Sequence, residues 1–307
     1  MRNLYARFAG ALIFATVCLM PTQGLALQVV VTVPTLAALA REVVAGNGHV
    51  EALVSAGQDP HYADARPNLI VTLNQADVLV ATGLELEVGW LPALVRQARN
   101  PKIVVGSPGY FDASQAVRRL QIPTQIDRAQ GDIHPGGNPH FGLDPRAGAS
   151  IVEALAARLA QVDPAHAADY QQRASALAAR LRTLAAEETK KFAQLPAAQR
   201  QLVAYHDSLV YLLDWLGLRQ VATLEPRPGI APDPGQLAKV VGLIRANAIK
   251  VLVIEAYYPK AAAAQVARMT GAQLVTLPGG VKFSEGQRYE DCVRGVAASF
   301  YAALSVQ

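Results

Sequence analysis

The 307 residues are 51% apolar and only 17% charged, a balance that can bury large cores and excludes a disordered chain. The length is comfortable for two domains. The net charge of +4 is small and falls further if Arg2 and Arg7 leave with a leader, which argues against nucleic acid as a partner.

The first residues read as a secretory signal peptide, residues 1–26. Arg2 and Arg7 form a basic start, 8–20 an apolar stretch, and Gly24-Leu25-Ala26 the small residues at which a signal peptidase cuts. The mature chain is expected to begin near Leu27 and to be periplasmic. The stretch 8–20 is too short for a membrane span, which takes about 20 residues. Val17 before Cys18 is too large for a lipoprotein processing site, so a soluble exported protein is expected. Only Cys292 then remains, and one cysteine makes no internal disulfide. It reads as a small, half-buried apolar residue on a C-terminal helix.

From Leu27 short β-branched runs alternate with Ala/Leu-rich helical stretches. Residues 27–33 predict a strand and 35–46 a helix closed by a Gly cap. Strands follow at 49–54, 77–82 and 102–106, with helices at 66–75 and 91–98 between them. This order implies a parallel sheet covered by helices. Residues 165–195 contain no Gly or Pro and are rich in strong helix formers. They predict a rod of roughly 45 Å, too long for the surface of one lobe. The alternation then resumes, with strands at 201–206, 219–224, 250–255 and 273–277. Helices fall at 209–217, 234–247, 260–271 and about 289–303. The fold class is therefore α/β: an N-terminal lobe (27–163), a linking helix (164–195) and a C-terminal lobe (196–307), each lobe with a small parallel sheet flanked by helices.

Three of the six histidines stand where a parallel sheet places its ligands, outside the carboxyl ends of its strands. His61 lies in QDPHYADARPN, after the strand 49–54. His206 ends the strand 201–206. His140, in GNPHFGLDP, follows a glycine-rich loop able to fold over the same cleft. Three imidazoles converging between lobes make a zinc site if a fourth ligand joins them. Glu255, ending an apolar strand at the same sheet edge as His206, is the expected fourth, because a buried carboxylate is costly unless paired or metal-bound. A His3Glu set suits Zn2+, with Mn2+ or Fe2+ as alternatives. No short-spacing motif such as HExxH or CxxC is present. Each histidine taken singly therefore also reads as a hydrogen-bonded structural residue, and Glu255 as a salt-bridge partner or a cap of the helix near Lys260. His134, in GDIHPGGNPH, reads as a solvated loop residue that with Asp132 could guide metal inward or lend a ligand transiently. His49 and His166 read as structural. Asp207 and Asp144 are expected to orient imidazoles.

On these residues the chain resembles the zinc/manganese-binding receptors (cluster A-I) of bacterial ABC importers. The motifs are Asp59-Pro60-His61, Asn138-Pro139-His140 with Leu143-Asp144-Pro145, Tyr205-His206-Asp207-Ser208, and the segment Gly83-Leu84-Glu85-Leu86-Glu87. They span nearly the whole mature chain. The resemblance implies two α/β lobes on one rigid helix and a metal held between them by side chains. A histidine at the third position, as in His206, implies Zn2+ ahead of Mn2+. Two departures stand out. The family's Asp after the last strand is replaced by Leu277-Pro278-Gly279-Gly280, which leaves Glu255, water or Glu225 as the fourth ligand. The long His-rich loop of many zinc members is reduced here to GDIHPGGN.

The expected function is therefore a non-enzymatic zinc receptor that delivers its ion to a cognate ABC permease. It is expected to act as a monomer, with a metallochaperone as a further candidate partner and with small rigid-body shifts rather than wide hinge closure. The runner-up is an exported metallohydrolase, which would need an open coordination position and an oxyanion donor set. A surface adhesin is a third reading, which the missing lipoprotein site disfavours.

Overall fold

In a computed structural model, the described residues are 26–125, 131 and 133–305. The signal sequence, apart from Ala26, and Asp132 lie outside them.

The first lobe opens with β1 (Leu27–Val31), α1 (Pro34–Val44) and β2 (Gly48–Ala52). It continues through α2 (Pro67–Gln75), β3 (Val78–Ala81), α3 (Leu91–Ala98) and β4 (Tyr110–Asp112). Its parallel sheet has the order β2-β1-β3-β4. The second lobe repeats this design with β5 (Gln201–Ala204), α6 (Val210–Leu216), β6 (Arg219–Thr223) and α7 (Pro234–Ala246). It ends with β7 (Val251–Glu255), α8 (Lys260–Thr270), β8 (Gln273–Leu277) and α9 (Tyr289–Ser305), in the order β6-β5-β7-β8. Central strands β3 and β7 are buried along their whole length, as parallel strands covered on both faces must be. Edge strand β6 is polar and half-exposed.

The expected strand at 102–106 does not form. Pro101–Ile103 is a 3-10 turn that Asn100 caps, its side chain accepting from the Lys102 N–H while its amide donates to the carbonyls of Leu73 and Ala76. The place beside β3 goes to Tyr110–Asp112, and Val105 is left 81% exposed. The expected Gly cap of α1 is also displaced. The residue with positive φ is Ala45, at +46°, and Gly46 lies in a following 3-10 turn. Gly217 and Gly271 do close α6 and α8 in the left-handed conformation.

Between the lobes run α4 (Pro145–Val162) and α5 (Ala167–Phe192). The 26 residues of α5 make a rod of about 39 Å. Asp169 lies in its first turn and Lys190 and Lys191 in its last, each sign matching the helix dipole. Helix α4 packs along it. A Cβ at Gly148 would stand 3.1 Å from the Tyr289 hydroxyl and 3.3 Å from Leu181, so glycine lets α4 approach both α5 and α9 closely. One apolar core runs without a break from β1 and α1 through α4, α5 and α9 to α6 and β5, and thus crosses from lobe to lobe. Two smaller cores fill the outer faces, one under α2 and α3 and the other under α7 and α8. The carboxyl ends of both sheets face one cleft, lined from the first lobe by Thr35, Val54 and Thr82 and from the second by Ser208, Glu255 and Gly279. Cys292 is fully buried on α9 rather than half-buried, and burial pushes its thiol up to about 11. None of the described helices is long and apolar enough to cross a membrane.

Candidate metal centre

His61, His140 and His206 come together from distant points of the chain. The His61 ring centroid lies 5.1 Å from that of His140 and 5.7 Å from that of His206, and His140 and His206 are 5.3 Å apart. His134 joins them, 5.4 Å from His61 and 6.2 Å from His140. One ring nitrogen from each of His61, His134 and His140 lies within 4.8 Å of the others. His206, from the second lobe, stands just outside that closest group.

Each ring is aimed by a local device. His61 sits in a tight turn in which Asp59 accepts from both its backbone N–H, at 3.0 Å, and its Nδ1, at 2.7 Å. A carboxylate only accepts, so Nδ1 carries the proton and Nε2 is turned to the cleft. Burial works to raise the Asp59 carboxyl, but the His61 hydrogen bond and charge outweigh it and hold it below its ordinary value. Trp90 fixes this turn from behind, donating from its indole to the Pro60 carbonyl at 2.9 Å. His140 is set by Asn138, whose side-chain oxygen accepts from the His140 N–H at 2.9 Å. The same amide donates to the Asp207 carbonyl at 2.7 Å, tying the His140 loop to the strand end that carries His206. His206 donates from Nδ1 to Glu225 at 2.6 Å. Glu225 also accepts from the Gly229 N–H, so it orients an imidazole. His134 donates from Nδ1 to the Leu84 carbonyl at 2.9 Å.

That carbonyl belongs to a strained turn. Gly83, Leu84 and Glu85 all have positive φ, at +86°, +53° and +63°. A left-handed conformation costs a non-glycine residue about 1–2 kcal/mol. Glu87 offsets this by accepting from the Thr32 hydroxyl at 2.6 Å and from the Thr82 and Gly83 N–H groups at 2.7 and 3.2 Å. Burial pushes the Glu87 carboxyl up against these bonds. Gly83 itself has no alternative, because a Cβ would fall on the Asp112 carboxylate.

The electrostatics of the rings differ. His140 Nε2 is buried with no hydrogen-bond partner. Burial, then the neighbouring His61, His206 and His134, hold its imidazole well below the ordinary 6.5. His206 is also buried, which lowers it, but the hydrogen bond and charge of Glu225 prevail and leave it raised. Once deprotonated, the imidazoles of this desolvated cleft form a borderline-soft donor set suited to Zn2+, Cu2+ or Ni2+.

Glu255 closes β7 as expected and is buried, but its carboxylate accepts from the Ser208 hydroxyl and lies outside the group of three ring nitrogens. Burial pushes its carboxyl up despite that bond and the nearby His206. In Pro278-Gly279-Gly280, a Cβ at Gly279 would meet the Ala56 carbonyl and the Tyr257 ring, so the backbone itself fills that space. Asp207 and Asp144 do not orient imidazoles as expected. Asp207 accepts from Gln220, and Asp144 caps α4 and pairs with Arg146. Asp59 and Glu225 perform that role instead. The adjacency of Asp59 to His61 in DPH was the one available signal. Glu225 has no local signature, because β6 and β5 become neighbours only in the sheet. His166 pairs with Asp163 on the surface and His49 lies in β2, both apart from the cleft.

A family model described as "ZnuA: Zinc-uptake complex component A periplasmic" matches residues 29–303. The chain belongs to the ZnuA family. This is a family of metal-binding receptors of ABC transporters, and the family resemblance holds. The chain is 26% identical over 246 residues to the iron-binding protein YfeA of Yersinia pestis, covering 80% of this chain and 75% of that protein. A crystal structure of ZnuA superposes with a TM-score of 0.78 at 23% identity, covering 91% of this chain and all of the other, which shows the two-lobe fold. The binding protein FpvC of Pseudomonas aeruginosa, solved with Mn2+, superposes with a TM-score of 0.74 at 27% identity, over 91% and 98% of the two chains. The relatives of this ZnuA-family chain are thus substrate-binding proteins rather than enzymes, and their names span several metals.

Proposed function

We propose that this protein is the periplasmic zinc receptor of an ABC importer, exported by residues 1–26, binding one ion between its lobes and delivering it to a cognate permease. His61, His140 and His206 are its ligands, with the fourth position left between Glu255, expected from the sequence, and water. The observation that carries this is His140 Nε2, a buried donor atom without a partner, surrounded by three further imidazoles. An unpaired buried polar atom costs about 1–3 kcal/mol, which a bound cation removes. Release follows from a small shift of one lobe on the other, because the shared core resists wide opening. The protein acts as a monomer, with the permease and a metallochaperone as its partners.

Manganese or iron is the second reading, favoured by the metals named for FpvC and YfeA. A competition titration of the mature chain with Zn2+ and Mn2+ separates the two, with His140→Ala alongside. One tight Zn2+ per chain, lost in His140→Ala, supports the zinc receptor. Preference for Mn2+ moves the protein to the second reading. No tight metal at all sinks both.

A further inference from the structure

We infer that His134 closes the coordination shell as a fourth imidazole, so that the ion is held by nitrogen alone. This rests on the metal-receptor reading above and names the ligand that reading left between Glu255 and water. Three observations point the same way. His61 and His134 have both committed Nδ1 as a donor, to Asp59 and to the Leu84 carbonyl. Their Nε2 atoms nevertheless face each other at 3.3 Å. Two neutral imidazoles so tethered present lone pair to lone pair, an arrangement that needs a proton or a cation between them.

The distance fits a cation. A tetrahedral Zn2+ with Zn–N bonds of about 2.0–2.1 Å separates its ligand atoms by about 3.3–3.4 Å. The His61–His134 pair already spans one edge of that tetrahedron. His140 Nε2, buried and unpartnered, lies with both in the closest donor group, and His206 approaches from the other lobe. Glu255 meanwhile is engaged with Ser208, and Glu225 with His206 and Gly229.

The segment that carries His134 is seated closely enough to hold a ligand. Gly131 packs on the Pro228 carbonyl of the second lobe, where a Cβ would stand 2.2 Å away. Gly136 lies against the Leu84 side chain, and the Gly137 N–H donates to the His134 carbonyl at 3.1 Å. The strained turn at Leu84 thereby gains a purpose, since it presents the carbonyl that fixes the His134 tautomer. An all-imidazole shell favours borderline cations such as Zn2+ over Mn2+, which seeks oxygen.

The test is a Zn2+ titration of the mature chain, His134→Ala, His134→Asn and Glu255→Gln, with X-ray absorption of the zinc-loaded parent to count imidazoles. Expected are four imidazoles in the parent and a loss of Zn2+ affinity in both His134 variants beyond the about 10–100-fold typical of an outer group. Glu255→Gln should stay within a few-fold of the parent. A parent spectrum with three imidazoles and an oxygen, or His134 variants with unchanged affinity, overturns the inference and leaves the receptor reading standing. Absence of tight zinc in the parent overturns both. Should a variant fail to fold, the parent spectrum alone decides.

Discussion

The two lobes approach the same cleft with opposite chemistry. The first lobe brings His61, His134 and His140, each from a loop, and His140 is so desolvated that its imidazole stays neutral well below 6.5. The second lobe brings His206 from a strand end, with Glu225 holding its proton and raising it. His140 therefore favours the neutral form that binds a cation, whereas His206 holds a proton more tightly than an ordinary imidazole. The difference suits a receptor that must both hold and release its ion, because a proton returning to His206 opposes the metal from one lobe alone.

The largest effect expected on the first-lobe half comes from Trp90→Ala. The indole is buried among Leu53, Leu69 and Leu79 and holds the Pro60 carbonyl. Its truncation should cost about 3–5 kcal/mol of stability in a denaturant melt and release the turn that aims His61. Trp90→Phe, which keeps most of the packing, should cost only about 1 kcal/mol and separates the two contributions.

Glu225→Gln tests the second half. Zinc affinity should fall about 10–100-fold, measured by chelator competition at pH 7.5. If affinity does not change, Glu225 does not orient the ligand and the contrast between the lobes fails.

Acid sharpens the comparison further. In the metal-free protein the raised His206 contributes stability below the unfolded value near 6.5 and loses it as pH rises through its folded value. The lowered His140 contributes above 6.5 and loses its share as pH falls toward its folded value. The two oppose each other, and because His140 departs further from 6.5, the metal-free protein should lose net stability as pH drops from 8 to 5. Loading requires both rings unprotonated, so zinc affinity should fall steadily over the same interval as pH drops. In Glu225→Gln the fall should begin at lower pH, because His206 then loses its proton more readily. A parent affinity flat to pH 5 would contradict the role given to His206.

The smallest effect is the control. Asp144→Ala removes the cap of α4 and should cost about 1 kcal/mol while leaving zinc affinity unchanged, since Asp144 pairs with Arg146 rather than with an imidazole.

Much of this is legible in the sequence. Periodicity located both alternating halves and the long helix, because a buried parallel strand and an amphipathic helix each need a characteristic spacing of apolar residues. The positions of His61 and His206 followed from the rule that parallel sheets place ligands beyond their strand ends. The misplaced strand at 102–106 shows the limit of such reasoning. Two valines satisfy the β pattern, but the neighbour of β3 is chosen by where the chain can pair, and Tyr110–Asp112 pairs there.

The sequence by itself determined the fold class, the linking helix and three histidines in positions fit for a ligand, because those depend on local pattern and on general rules of sheet topology. Only the tertiary structure decided that His134 stands beside them, that Glu225 holds the His206 ring, and that Glu255 meets Ser208. These are contacts between segments remote along the chain, such as His134 with Leu84 and His206 with Glu225. No local spacing encodes them. They exist because one continuous core fixes the two sheets edge to cleft.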